Sequence, residues 1–197
     1  KFPANTSSKR AEIFMIRVAG LNHQQEHGVK RRDIANMTPE EQLEAISDTC
    51  QRLVARQYRY LKMILKELET EGLYFIRPED ASPRQMKWLD DYFEREIFPV
   101  VTPMAVDSSH PFPFLASKSL NTALLLERNE RDMTLDEEND IDVKTAIVPV
   151  PSVLPRIVRL PDNPENASRH DFMFLEQVLC HFAARLFIGF DLLEARP

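Results

Sequence analysis

The sequence has few of the residues that build phosphate-binding loops, metal sites or disulfide frameworks. It contains four glycines, at positions 20, 28, 72 and 189, and their scatter excludes a glycine-rich phosphate loop. Cys50 and Cys180 match no zinc spacing and make no disulfide framework, so we expect buried, inert thiols in a reducing compartment. No serine, histidine and aspartate occur at a spacing that indicates a catalytic triad.

Long apolar runs and an excess of basic residues are also missing. No apolar run approaches the roughly 20 residues that cross a bilayer, so we expect no transmembrane segment. The opening residues KFPANTSSKR lack the apolar core of a signal peptide, which favours a cytoplasmic location. The 25 basic and 31 acidic residues give a net charge of −6, which disfavours a nucleic-acid partner but permits a local basic groove.

The composition and the residue patterns of the sequence indicate a folded protein of the α+β class. The 197 residues, of which 43% are hydrophobic, suit one large domain or two small ones. We predict an amino-terminal helical bundle over residues 1–100 and a partial mixed strand and helix domain over residues 101–197.

Three helices are predicted in the amino-terminal domain. The first runs from about Lys9 to Gly20, and the polar segment 22–37 after it reads as a loop or a short irregular helix. Thr38, with Pro39 and Glu41, forms a capping-box pattern that opens a long helix ending at Gly72. One apolar face of this helix is marked by Leu43, Ile46, Cys50, Leu53, Leu61, Ile64 and Leu68. Residues 82–85 repeat the start signal for a third helix, which ends at about Pro99 and has Met86, Leu89, Phe93 and Ile97 on its inner face.

The carboxyl-terminal half is predicted to hold three short strands and a helix. Residues 120–126, 146–150 and 156–160 read as strands, and the prolines around the last two favour edge strands or strand ends. Residues 172–188 read as a helix that Gly189 ends. The acidic segment 129–142 reads as a solvated hairpin loop or insertion. Because three strands and one helix make a thin core, we expect more chain to follow Pro197.

The segment 97–127 is predicted to be a rigid seam between the two halves. It carries four prolines, Pro99, Pro103, Pro111 and Pro113, each of which prevents a regular helix, and it is rich in apolar residues. His110 lies in this segment, where a structural role is favoured over a catalytic one.

The most informative charge pattern lies on the long helix. Five cations at steps of 4, 3, 3 and 4 form one stripe opposite the apolar face: Arg52, Arg56, Arg59, Lys62 and Lys66. We call these residues the basic stripe. It suits a polyanion such as polyphosphate or a nucleotide. The alternative is a solvated face whose cations offset the helix dipole.

His23 and His27 are a second candidate pair. They lie four residues apart, a spacing that metal ligands use on one helix face. Their polar surroundings favour incidental surface histidines.

Several blocks in the sequence resemble the bacterial polyphosphate kinase family. They are FMIRVAGL at 14–21, TPEEQL at 38–43, QMKWLDDYF at 85–93, IFPVVTPMAVDSSHPFPF at 97–114 and SLNTALLLE at 119–127. Because the blocks occur in the family's order, the resemblance covers nearly the whole chain. It implies the amino-terminal part of an enzyme that transfers the terminal phosphate of ATP reversibly to polyphosphate through a phosphohistidine.

The resemblance also implies ATP and Mg in the complete enzyme, polyphosphate as a partner and a homo-oligomer. The phosphohistidine and its metal-binding neighbours would lie in domains beyond Pro197, so no catalytic residue and no metal ligand is assigned in this chain, and alone it is expected to be inactive. The head domain is expected to build subunit contacts and the helical domain to cover the nucleotide.

One site residue can be carried over from the family. Family members read close to SSNLDEF before the FMIRVAGL block, with an asparagine near the ATP base. Here Lys9 stands at the asparagine position and Ala11 at the aspartate position. Lys9 is therefore the candidate nucleotide contact, reaching a phosphate, and a solvent-exposed lysine is the alternative. A non-catalytic module that binds a protein or polyanion through the long helix is the alternative function.

Overall fold

A computed structural model describes residues 13–106, 112–129, 143–162 and 168–197. Lys9, His110 and nearly all of the acidic segment 129–142 lie outside these ranges, so the predictions made for them stay predictions. The contacts divide the chain into two compact units, Lys1–Glu67 and Leu68–Pro197.

The first unit opens with a helical segment that runs past the predicted end. A π-helical turn, Ile13–Val18, leads into α1, Ala19–Glu26. Gly28, not Gly20, ends this helix: it has a φ of +66°, and its N–H donates to Gln25 O at 2.9 Å. The N–H of Val29 donates to Gln24 O at 3.0 Å, which completes a Schellman motif. The prediction of an end at Gly20 was wrong because a glycine inside a helix lowers its stability without stopping it.

The long helix α2 spans Pro39–Thr70 and confirms both predicted ends. The Thr38 N–H donates to Glu41 Oε2 at 2.8 Å, and the Glu41 N–H donates to Thr38 Oγ1 at 3.3 Å. This is the predicted capping box, and the hydrogen bond from the Thr38 backbone lowers the pKa of the Glu41 carboxyl. Gly72, with a φ of +79°, follows the last turn.

The third predicted helix is confirmed as α3, Pro83–Tyr92. Ser82 is its N-cap, and Gln85 completes the predicted capping box. The chain continues through a π-helical turn, Phe93–Ile97, and a 3-10 turn, Phe98–Val100.

Seven strands and a fourth helix follow or flank α3 in the described ranges. The strands are β1 (Leu73–Phe75), β2 (Met104–Val106), β3 (Asn121–Arg128), β4 (Val143–Pro149), β5 (Ile157–Arg159), β6 (His170–Phe174) and β7 (Phe190–Arg196). The fourth helix is α4, Leu175–Phe182, which a 3-10 turn, Ala183–Leu186, extends.

The strands form two sheets. One is antiparallel in the order β2-β4-β3-β7, and a bulge interrupts the β3–β7 pairing between Leu125 and Leu126. The other has the order β1-β6-β5, with β1 parallel and β5 antiparallel to β6. The prolines were predicted to mark strand ends or edge strands. Pro149 is the last residue of β4, and β5 lies at a sheet edge, as predicted.

Two predictions for this half were wrong. Residues 172–174 belong to β6 and not to the helix, which begins at Leu175. The expected three strands undercount the sheet content, since β1, β2, β6 and β7 were not predicted. Three of these, β1, β2 and β7, pair with strands distant in the sequence, so no pattern of neighbouring residues predicts them.

The core of the second unit includes side chains from α3, both sheets and α4. Leu89, Phe93 and Ile97 are buried as predicted, and they join a cluster that contains Leu124, Val148, Leu160, Met173, Leu175 and Leu179. The segment 97–127, predicted to be a seam, lies inside this unit. The domain bounds at residues 100 and 101 stay a prediction. None of the helices in the described ranges combines the length and apolar composition that crossing a bilayer requires.

Candidate polyanion-binding surface

The basic stripe is an exposed surface on the regular helix α2. All five of its side chains are exposed. From Arg52 to Lys66 the helix rises about 21 Å at 1.5 Å per residue, and steps of three and four residues keep the cations on one face. The sequence between these two residues contains no aspartate or glutamate. The result is a straight row of positive charge along one side of a helix.

The three arginines of the stripe make only weak contacts, which leave most of their donors available. Arg52 Nη2 donates to Thr49 Oγ1 at 3.4 Å. The guanidinium carbons of Arg56 and Arg59 lie 6.0 and 5.8 Å from the ring centre of Tyr60. Among the described residues none of the five cations has an ion-pair partner. Each can therefore bind an external anion without breaking an internal salt bridge.

The arginines of the stripe border a shallow depression of about 640 Å³. Thr49, Leu53 and Ala55 line it together with Arg52, Arg56 and Arg59. Its apolar floor and cationic rim lie open to solvent. A guanidinium binds two oxygens of one phosphate at once, so three arginines in a row suit a chain of phosphates better than an isolated anion.

The helix dipole does not account for this arrangement. The dipole acts only within the first and last turns of a helix. Glu40 and Glu41 occupy the first turn of α2, as the dipole favours, but the last turn contains no basic residue. Arg52, Arg56 and Arg59 lie in the middle of the helix. The dipole therefore does not explain the positions of these three arginines.

The other predicted site residues are not brought to this surface. Lys9 and His110 lie outside the described residues. His23 and His27 lie side by side at the end of α1, with ring centres 4.2 Å apart, and His27 Nδ1 donates to His23 O at 2.8 Å. No group of three metal-ligating side chains occurs in the described part of the chain.

Sequence patterns missed the contributions of Thr49 and Tyr60 to this surface. Their positions relative to Arg52 and Arg56 follow from the helical period, so counting three and four residues from each arginine would have found both. A second cationic cleft, on α3, was also missed, because half of its residues come from a distant part of the chain.

Comparison with known proteins identifies the relatives of both halves of the chain. Residues 1–76 match the family model described as the polyphosphate kinase N-terminal domain, and residues 84–197 match the polyphosphate kinase middle domain. The chain is 39% identical over 199 residues to a polyphosphate kinase from Halalkalibacterium halodurans, covering 100% of this chain and 27% of the relative. It is 37% identical over 195 residues to one from Thermosynechococcus vestitus, covering 98% of this chain and 25% of the relative.

A solved structure supports the same assignment. The crystal structure of a polyphosphate kinase from Porphyromonas gingivalis matches 96% of this chain with a TM-score of 0.74 and 25% sequence identity, and the match covers 26% of that protein. The chain therefore spans about a quarter of the length of the relatives it matches. Matches to both domain models in order, over nearly every residue, show that the chain belongs to the polyphosphate kinase family.

Proposed function

We propose that this chain is the amino-terminal and middle part of an ATP–polyphosphate phosphotransferase and that its basic stripe holds the polyphosphate chain. The complete enzyme would transfer the terminal phosphate of ATP reversibly to polyphosphate through a phosphohistidine outside this chain. We further propose that it works in the cytoplasm as a homo-oligomer. The observation that carries the role of the stripe is its run of exposed cations along about 21 Å of helix, none of which has an ion-pair partner in the described part of the chain.

The chemistry of the polymer fits this surface. Polyphosphate is a linear anion with roughly one charge on each phosphate, so it attracts an extended row of cations more strongly than a compact ligand does. Arginine forks fix the orientation of the phosphates, while Lys62 and Lys66 act as point charges further along the row. The stripe would hold polyphosphate in place and so lower its effective dissociation constant. The stripe itself would take no part in the chemical step.

ATP and Mg enter the proposal as requirements of the complete enzyme. The described residues contain no cluster that fits a metal ion, so no step is assigned to Mg here. Lys9 stays the proposed phosphate contact for the nucleotide.

The proposal is tested in the full native polypeptide with two matched double variants. Arg56→Gln with Arg59→Gln removes two charges from the stripe. Lys30→Gln with Arg31→Gln removes two charges from exposed positions in the loop before α2. We expect the stripe variant to raise KM for polyphosphate about 5- to 30-fold, corresponding to roughly 1–2 kcal/mol, and to leave KM for ATP unchanged. The loop variant should leave both constants near wild type.

Each result bears on a separate part of the proposal. If the wild-type polypeptide makes no polyphosphate from ATP, the proposed activity is wrong. If activity is present but the stripe and loop variants have the same KM for polyphosphate, the role of the stripe is wrong. A rise in KM for ATP alone would instead assign the stripe to the nucleotide.

A non-catalytic interaction module is a second candidate, and a different observation favours it. Leu61 and Ile64, on the predicted apolar face of α2, are 42% and 51% exposed, and Tyr58 is 63% exposed. An uncovered apolar face of this kind suits a protein partner. The intact mass of the native polypeptide separates the two candidates. A mass several times 22.9 kDa favours the kinase, and a mass near 22.9 kDa favours the module.

A further inference from the structure

Two histidines lie on one side of the last turn of α1. His23 belongs to that turn, and His27 is the C-cap residue of the helix. Side chains four residues apart are neighbours on a helix surface, and the ring centres of these two lie 4.2 Å apart. Both side chains are exposed. The pair belongs neither to the basic stripe nor to any step of the proposed phosphotransfer, so its role is a separate question.

The distance between the two rings suits a single metal ion. Imidazole is the commonest side-chain ligand of metals in proteins. A ring nitrogen binds Zn²⁺ at about 2.1 Å, so two nitrogens on one ion lie at most about 4.2 Å apart. The ring centres of His23 and His27 are already separated by only 4.2 Å. The backbone of α1 therefore places the two imidazoles close enough to bind the same ion.

A hydrogen bond to the backbone sets the tautomer of His27. Its Nδ1 donates to His23 O at 2.8 Å. Because a carbonyl oxygen can only accept, Nδ1 carries the proton, and in the neutral ring the lone pair is then on Nε2. Metal-binding histidines commonly donate their second ring nitrogen to a backbone carbonyl, which orients the ring and makes the ligating nitrogen more basic. His27 has this arrangement before any ion is bound.

The surroundings of the pair favour a cation. The carbonyl end of a helix carries partial negative charge, and both histidines lie within the reach of that charge. Glu26 is three residues after His23, so its carboxylate adds negative charge to the same side of α1. The described residues hold no group of three metal-ligating side chains. Water would therefore fill the other coordination positions of an ion bound here.

We propose that His23 and His27 together bind one divalent transition-metal ion of the class that includes Zn²⁺, Ni²⁺ and Cu²⁺. Neutral imidazole suits these ions, whereas Mg²⁺ prefers oxygen ligands and keeps several waters. The site is therefore distinct from the Mg requirement of the complete enzyme. A bound ion links two residues one turn apart, so it stabilises the end of α1 against local opening.

Amide hydrogen exchange of the full native polypeptide, read by mass spectrometry, tests the proposal with Zn²⁺ as the probe. The polypeptide is freed of metal with a chelator and given excess Mg²⁺, which fills oxygen-ligand sites before Zn²⁺ is added. We expect Zn²⁺ to slow exchange in peptides that cover residues 19–29, and Mg²⁺ alone to have no such effect. If opening of the helix end releases the ion, exchange should be about tenfold slower at a free Zn²⁺ concentration about nine times Kd.

Matched variants test the spacing of the two ligands. His27→Gln should weaken Zn²⁺ binding at α1 at least about tenfold, because it removes one of two ligands. His27→Gln with Gln25→His keeps the number of histidines but separates them by two residues, which do not face each other on a helix, and should lose as much. His181→Gln, which removes an exposed histidine of α4, should match wild type. Each variant is compared with itself without Zn²⁺, so loss of the His27 hydrogen bond does not enter the result.

Three results would overturn the proposal. Zn²⁺ could leave exchange at residues 19–29 of the wild type unchanged, which would mean that the pair holds no ion. The variant with histidines at the wrong spacing could keep its protection, which would assign binding to single histidines. Mg²⁺ could protect as well as Zn²⁺, which would assign binding to oxygen ligands. Polyphosphate synthesis is not a readout here, so failure of the proposed phosphotransferase activity would leave this test intact.

Discussion

The side-chain amide of Gln85 donates from Nε2 to Oδ2 of Asp171 at 2.8 Å, and both side chains are buried. The amide oxygen of Gln85 accepts the Ser82 N–H at 3.0 Å and so caps α3. Asp171 also accepts a hydrogen bond from Arg169 Nε at 2.8 Å. One glutamine thus starts a helix and joins it to β6, which lies 86 residues away along the chain.

Replacement of Gln85 by methionine is expected to lower the free energy of unfolding by about 2–3 kcal/mol, because it removes a cap and leaves Asp171 short of a donor. Ser82→Ala removes the cap alone and is expected to cost about 1 kcal/mol. Urea unfolding followed by Trp88 fluorescence measures both. Equal losses in the two variants would show that the bond to Asp171 adds nothing to stability.

Gly72 is expected to be intolerant of alanine. Its φ is +79°, and an added Cβ would lie 2.2 Å from the backbone oxygen of Ser168, which cannot move aside without disturbing β6. Gly72→Ala should therefore lower the free energy of unfolding by about 2–4 kcal/mol. Gly28→Ala is the matched control, since Gly28 has a similar φ of +66° and no atom of the described residues lies within 4 Å of its added Cβ. It should cost only about 1 kcal/mol.

Gly20→Ala is expected to raise stability, in contrast to the two glycine substitutions above. Gly20 lies inside α1, its φ is not positive, and among the described residues no atom outside the backbone of its own helix lies within 4 Å of an added Cβ. Alanine there should raise the stability of the helix by about 0.5–1 kcal/mol, because glycine is the poorer helix former. Amide hydrogen exchange of α1 measures the change. A loss of protection would mean that Gly20 has a structural role that its surroundings do not explain.

Features encoded by neighbouring residues could be predicted from the sequence. The caps of α2 and α3 follow from short patterns, and the basic stripe follows from the helical period, because each depends on residues within one or two turns. Helix α1 shows the limit of such patterns. Gly20 and Gly28 are both plausible ends, and only the hydrogen bonds of Gly28 and Val29 decide between them.

Features that depend on distant pairing could not be predicted in this way. Phe172, Leu175 and Leu179 recur at helical steps, so the last residues of the strand β6 were predicted as the start of a helix. In an alternating strand pattern the buried positions are normally apolar, but one buried position of β6 is Asp171. Its hydrogen-bond partner, Gln85, lies in another element. The cleft on α3 was missed for the same reason, since its second wall follows β5.

Burial raises the pKa of the Cys180 thiol, the nearby Thr122 hydroxyl opposes this shift, and the Glu176 carboxylate adds to it. A higher pKa lowers the thiolate fraction at any given pH, so Cys180 should react slowly with iodoacetamide at pH 8. In a Cys50→Ser variant, the midpoint of its rate against pH should lie above the ordinary value of 9.0. Restricted access of the reagent would slow the reaction without moving this midpoint, so a midpoint at or below 9.0 would contradict the prediction.

The hydrogen bond from His170 lowers the pKa of the Asp162 carboxyl, and Arg159 lowers it further through its charge. A carboxyl whose pKa is lower in the folded state stabilises the fold above its ordinary pKa, and this stabilisation is lost as the pH falls through the folded-state value. The carboxyl carbon signal of Asp162, assigned with an Asp162→Asn variant, should therefore titrate below the ordinary value of 3.8. In a His170→Phe variant the midpoint should move upward. An unchanged midpoint would assign the shift to Arg159, and Arg159→Gln would then have to produce the rise that the histidine variant failed to give.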